Sequence, residues 1–129
     1  MRAIKIDVIK HEVYNVDIQT GIDDIYKQLE CETFTVPYAH ANGDGLYVDD
    51  ESLVKGPESL IGGFAYKEYP HQPLFGHGLL IGVDEDGNSK DAQSDLEKIK
   101  KNVVFLKDLA FVKDCYEQLS SAPFQIYRI

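Results

Sequence analysis

Gly78-Leu79-Leu80-Ile81-Gly82-Val83 runs for six residues without a polar side chain. A short run of this kind reads as a fully apolar strand and belongs at the centre of a sheet. It follows Pro73-Leu74-Phe75-Gly76. An earlier segment, Gly45-Leu46-Tyr47-Val48-Asp49-Asp50-Glu51-Ser52-Leu53, has the same character. Each reads as an apolar strand running into a tight acidic or glycine-rich turn. Neither has the form of a catalytic or cofactor motif.

The rest of the chain supplies partners for that strand. Residues 3–8 and 13–18 alternate apolar and polar side chains around Lys10-His11-Glu12, which predicts an N-terminal hairpin. Thr20 is expected to cap a helix whose apolar face is Ile22, Ile25, Tyr26 and Leu29. Thr33 to Tyr38 reads as a third strand, with Pro37 favouring a sheet edge. Ala41-Asn42-Gly43-Asp44-Gly45 is a turn leading to a fourth strand at 46–48. Residues 51–59 read as loop or short helix. Leu60 to Tyr66 is ambiguous, its paired Gly62-Gly63 implying a bulge or a close backbone approach. Tyr69 to Pro73 is expected to be a rigid loop.

After a hairpin-type turn at 84–89, residues 94–102 form a helix with acids first and lysines last, as the helix dipole prefers. Residues 103–106 read as a strand or as the end of that helix. A helix over 107–120 carries Leu109, Val112, Tyr116 and Leu119 on one face and stops at Ser120-Ser121-Ala122-Pro123. Residues 124–129 alternate again as a terminal strand. The expectation is a single α+β domain over 1–129: a mainly antiparallel sheet with two or three helices packed on one face.

Length and charge narrow the function classes. A chain of 129 residues is enough for one hydrophobic core without disulfides or metals. Asp plus Glu outnumber Lys plus Arg by 22 to 13, and residues 1–60 alone hold twelve acids against five bases. That imbalance argues against binding a nucleic-acid backbone, which depends on lysine and arginine. It suits a basic protein partner, or solubility alone. Cys31 and Cys115 share no redox or zinc spacing. Met1-Arg2-Ala3-Ile4-Lys5 alternates and does not form the apolar block of a signal peptide, and no apolar run approaches a membrane span. The expected compartment is the cytoplasm, with reduced thiols.

Four constellations could carry chemistry. Asp84, Asp86 and Asn88 stand at alternate positions, as in a calcium loop, but Ser89 replaces the needed glycine and Asp95 the bidentate Glu. Asp49-Asp50-Glu51 is the densest acidic run, but neighbouring strand residues point to opposite faces, and a solvated turn is the plainer reading. His71 and His77 flank Pro73-Leu74-Phe75-Gly76 without a nucleophile signature. Gly76-His77-Gly78 leads into strand, whereas a phosphate cradle leads into a helix. Tyr66, Tyr69 and Phe75 lie near the glycine-rich segments and could line a pocket or interface. No catalytic residue, metal ligand or cofactor is assigned. Asp49, Asp50, Glu51, Tyr66, Tyr69, His71, Phe75 and His77 are the candidate binding residues.

On the N-terminal strand pair, Leu46-Tyr47-Val48-Asp49-Asp50-Glu51-Ser52-Leu53, Pro73-Leu74-Phe75-Gly76 and Gly78 to Val83, residues 1–105 resemble the domain-of-unknown-function family 3846. The resemblance implies a short accessory protein of bacterial phages, plasmids or conjugative elements. It brings no catalytic residues. Residues 107–129 lie beyond it.

Three readings follow. The first is a non-enzymatic binding protein that occupies a host or defence protein or sequesters a small ligand, without nucleic-acid or membrane partners. The second is a small hydrolytic or metal-dependent enzyme using Asp49, Asp50, Glu51 and His71 or His77, which requires those side chains to converge on one cleft. The third is a structural homo-oligomer, such as a homodimer, in which strand 124–129 extends a neighbour's sheet.

Overall fold

A computed structural model of the chain describes residues 1–19, 22–50 and 57–127. In chain order its elements are β1 (Arg2–Asp7), β2 (Glu12–Asp17), α1 (Ile22–Leu29), β3 (Phe34–Ala39), β4 (Asp44–Asp49), a 3-10 turn (Pro57–Ser59), β5 (Gly63–Tyr66), β6 (Tyr69–Phe75), β7 (Gly78–Val83), β8 (Ser89–Lys90), α2 (Leu96–Asn102), β9 (Val103–Phe105) and α3 (Leu109–Tyr127).

The fold is α+β. The larger sheet runs β2-β1-β7-β4-β3, with β8 hydrogen-bonded to β7, and the smaller runs β6-β5-β9. Every pairing is antiparallel. The apolar β7 is central: Leu80 stands opposite Ile4 of β1 and Leu46 of β4. Its alternation divides the core. Leu80 joins Ile4, Ile6, Leu46 and Val48 on one face, where Phe64, Tyr66 and Leu74 of the small sheet and Ile99 of α2 cover them. Leu79 and Ile81 join Ala3 on the other, under Ile25 and Leu29 of α1. α1 and α2 therefore cover opposite faces of the larger sheet instead of sharing one, because a strand apolar on both sides needs cover on both.

A third cluster, Leu60, Phe75 and Leu106, is closed by Val112 and Tyr116 of α3. Asp108 starts that helix by accepting the Phe111 amide at 2.8 Å. The paired glycines are a place of close approach. A Cβ on Gly62 would lie 2.9 Å from Val8, and one on Gly63 would lie 2.9 Å from Leu106.

Two expectations are corrected. Residues 69–75 form strand β6, not a rigid loop. It is an edge strand, where the missing amides of Pro70 and Pro73 break no ladder. The terminal strand is absent over 124–127, which continue α3. Alternation alone supplies no strand partner, whereas extending the helix satisfies backbone groups locally at the cost of the bond that Pro123 cannot donate. Thr20 lies outside the described residues. Asp24 accepts the Gln19 amide at 2.6 Å ahead of α1. Among the described residues, no helix is long and apolar enough to cross a membrane.

Candidate functional site

Of the described sequence candidates, Asp49 and Phe75 line one cleft with Glu30, the partner of His77, while Tyr66 and Tyr69 lie elsewhere. Tyr66 and Tyr69 face each other across β5 and β6, Tyr66 buried and Tyr69 half-buried against the main core. Phe75 is core, edge-on to Tyr116. Asp50 is exposed, and its amide donates to the Thr33 carbonyl. Asp49 lines a small cleft of about 240 Å³ with Glu30, Ser59 and Phe75. Glu51 lies outside the described residues, and the His71 side chain is not among those described. In the 84–89 turn, Asp84 Oδ1 accepts the Asp86 and Asn88 amides and so closes its own turn.

His77 is buried in a knot that joins three elements. The Val8 amide donates to Nδ1 at 3.2 Å, so Nδ1 carries no proton, and Nε2–H donates to Glu30 Oε2 at 2.8 Å. Glu30 holds the end of α1. Its φ of 54° places it in the left-handed region, and the bonds from its own amide to Lys27 O and from Cys31 N to Tyr26 O form a Schellman motif. Asp7 stands 3.7 Å from His77 Nδ1 and accepts from the Ile9 and Lys10 amides and from the Tyr14 hydroxyl at 2.7 Å. Burial alone would raise the Asp7 pKa, but the donors around it outweigh burial and hold it below its usual value. Tyr14 is pushed up to about 12 by burial and by the Asp7 carboxylate. Each of these polar groups already has a protein partner.

A second polar cluster is built differently. It surrounds a cleft of about 570 Å³. One wall is the segment 91–95, pinned from two sides. The buried Asp44 carboxylate accepts the Gln93 and Ser94 amides, and the Arg2 guanidinium donates to the Ala92 and Ser94 carbonyls. Gly82 lets this segment lie against β7, since a Cβ there would clash with the Asp91 carbonyl. The opposite wall is α2 with the β5–β6 turn. Asn102 joins them: its carbonyl accepts the Lys67 amide at 2.9 Å, and its Oδ1 accepts the Glu68 amide at 3.0 Å. His40 and Asn42 enter from the β3–β4 turn. His40 Nε2 lies 2.6 Å from the Tyr66 hydroxyl. Burial raises Tyr66 far above the usual tyrosine pKa, so that hydroxyl keeps its proton.

The bonding fixes what the cleft presents. An amide N–H can only donate, so Asn42 Oδ1 must face the Asp44 amide and Asn42 Nδ2 must donate to Ser94 Oγ at 3.0 Å. Ser94 Oγ is thereby an acceptor, and its own proton remains available. By the same reasoning the Glu68 amide fixes Asn102 Oδ1, leaving Nδ2 to donate elsewhere. Ser94 and Asn102 are buried, line the cleft, and have no acceptor for these hydrogens among the described residues. Lys67, Lys98 and Lys101 stand around them, and none is within ion-pair distance of a described carboxylate.

Sequence reasoning passed over His40, Asn42, Lys67, Ser94, Lys98 and Asn102. The lysines of α2 were legible only as a favourable helix end. Their three-residue spacing, which puts Lys98 and Lys101 on one face, was the available signal.

A family model described as Domain of unknown function (DUF3846) matches residues 1–103. The chain belongs to the DUF3846 family. No curated protein and no solved structure matches it. The matched DUF3846 segment contains all the residues named around the cleft and the His77 knot, and it ends on the first residue of β9.

Proposed function

We propose that this chain is a non-enzymatic binding protein that sequesters a small anionic ligand in the cleft between α2 and the β5–β6 turn. The observation that carries the reading is the surplus of unpartnered donors there. Among the described residues, three lysines without carboxylate partners surround two buried side chains with hydrogens to spare, in a chain of net charge −9. Lysines left unpaired amid an acid excess concentrate positive potential where an anion can use it. Binding is favoured over catalysis by the state of Ser94. Its hydroxyl accepts from an amide, which cannot remove its proton, and among the described residues no base is hydrogen-bonded to it. Sequestration in the cytoplasm is a task suited to an accessory protein of a phage or plasmid.

Isothermal titration with phosphate, sulfate and citrate at low ionic strength tests the reading. Binding of at least one anion is expected, lost in the Lys98→Ala/Lys101→Ala double variant while the melting temperature without ligand stays unchanged. Undiminished affinity in that variant would place the anion elsewhere and end the proposal.

A further inference from the structure

We infer that the cleft takes a phosphate monoester carried on a polyhydroxyl skeleton. This rests on the anion-binding reading above and specifies its ligand. The argument has three parts: the kind of cation present, the carboxylates that accompany it, and the shortage of aromatic surface.

The cations are lysines only. A planar carboxylate is best recognised by the arginine fork, which donates two parallel hydrogen bonds, whereas lysine acts as a point charge and suits the oxygens of a tetrahedral phosphoryl group. The chain has two arginines, Arg2 and Arg128. Arg2 is occupied with the Ala92 and Ser94 carbonyls and with Asn15. Lys67, Lys98 and Lys101, with the Ser94 hydroxyl and Asn102 Nδ2, present separate donors around one space. That arrangement matches a phosphoryl group, which carries roughly −1.5 to −2 at pH 7 and three strong acceptor oxygens.

Glu68 and Asp95 line the same cleft. Asp95 precedes α2 without making a side-chain capping bond, and among the described residues Glu68 accepts only a long 3.4 Å contact from the Tyr38 hydroxyl. Two carboxylates beside three lysines leave a net charge of about +1, counted from the ordinary charge states of these side chains. This accommodates one phosphoryl group and disfavours a chain of phosphates. Carboxylates with capacity to accept are suited to hydroxyl groups. Among the described lining residues His40 alone is aromatic. Its ring already meets Tyr38 and Tyr66 edge-to-face at 4.9 and 5.7 Å. The site therefore lacks the stacking platform that a nucleobase uses.

The test is calorimetric titration of the full chain with ribose 5-phosphate, inorganic phosphate, citrate and adenosine 5′-monophosphate at one low ionic strength. Ribose 5-phosphate is expected to bind at least about 10-fold more tightly than inorganic phosphate or citrate, the increment of one charge-assisted hydrogen bond. Glu68→Gln should erase its advantage over inorganic phosphate without lowering phosphate affinity. Lys98→Ala should weaken both phosphates together. Citrate binding as tightly as ribose 5-phosphate would overturn the phosphate assignment and leave the anion reading standing. Equal affinities for ribose 5-phosphate and inorganic phosphate would overturn the polyhydroxyl half. Tighter binding of the adenosine nucleotide would assign the remaining space to a base and overturn it as well. Binding of none of the four would end both this inference and the reading beneath it.

Discussion

His77 and His40 each anchor a polar cluster, and the clusters differ in what is left over. Around His77 each donor meets an acceptor inside the protein: Val8 N–H on Nδ1, Nε2–H on Glu30, and the Ile9, Lys10 and Tyr14 donors on Asp7. Around His40 the bonds among Asn42, Ser94, Asn102 and Glu68 orient the groups and, among the described residues, then stop, with hydrogens and lysine charges in surplus. A closed set of bonds holds elements together. An open set has capacity left for water or a ligand. Histidines and carboxylates occur in both places, so residue type does not separate a fastening from a site; the remaining bonding capacity does.

The sharpest way to break that contrast is His77→Ala. It deprives the buried Val8 amide of its acceptor and leaves a void, and should cost about 3 kcal/mol in urea unfolding. A loss near zero would remove the structural role assigned to the knot. Asp44→Ala comes next. The Gln93 and Ser94 amides lose a buried acceptor, for about 2 kcal/mol of stability, and anion affinity should fall with it because Ser94 loses its support. Stability lost with affinity unchanged would separate Asp44 from the cleft.

Glu30 sharpens the comparison at about 1 kcal/mol. Glu30→Ala loses the bond to His77, whereas Glu30→Gly loses the same bond but relieves the left-handed backbone, so Gly should be the milder variant by thermal melting. If Ala is the milder, the strain at Glu30 has been misjudged.

A smaller effect appears in acid. The folded-state pKa of Asp7 lies below its reference value of 3.8. Its stabilisation is therefore fully present well above 3.8 and is lost as pH falls through that value towards the folded pKa. Asp7→Asn should flatten the acid limb of the stability–pH curve relative to wild type. Parallel limbs would argue that Asp7 is not held as described. Smallest of all, Lys98→Ala and Lys101→Ala should each change stability by less than about 0.5 kcal/mol, as exposed residues do. A larger loss would give these lysines a structural role and weaken the contrast.

Much of the scaffold was legible because local pattern decided it. The apolar run at 78–83 marks the central strand, and the alternation at 3–8 and 13–18 marks the hairpin. β6 was obscured by Pro70 and Pro73, whose cost depends on whether the strand is central or edge, a fact of the whole sheet. The end of α3 was misread because alternation at 124–127 has meaning only beside a strand able to pair with it.

Apart from the spacing of its lysines, the cleft was not legible. It assembles residues near positions 40, 67, 94 and 100 through two bonds to Asn102 and the clamp of Asp44 and Arg2 on residues 91–95. No spacing in the chain encodes that meeting. The direction of the Ser94 proton follows only from knowing which atom Asn42 presents to it.

The third core cluster has a consequence for how the family can vary. The segment shared with DUF3846 stops at residue 103, yet it includes Leu60 and Phe75, which are covered by Val112 and Tyr116 from beyond it. The end of the matched segment is thus not a boundary of solvent exclusion. Any relative that kept the shared segment but exchanged α3 would inherit an uncovered apolar floor, and its new C-terminal sequence would be selected first for fitting that floor.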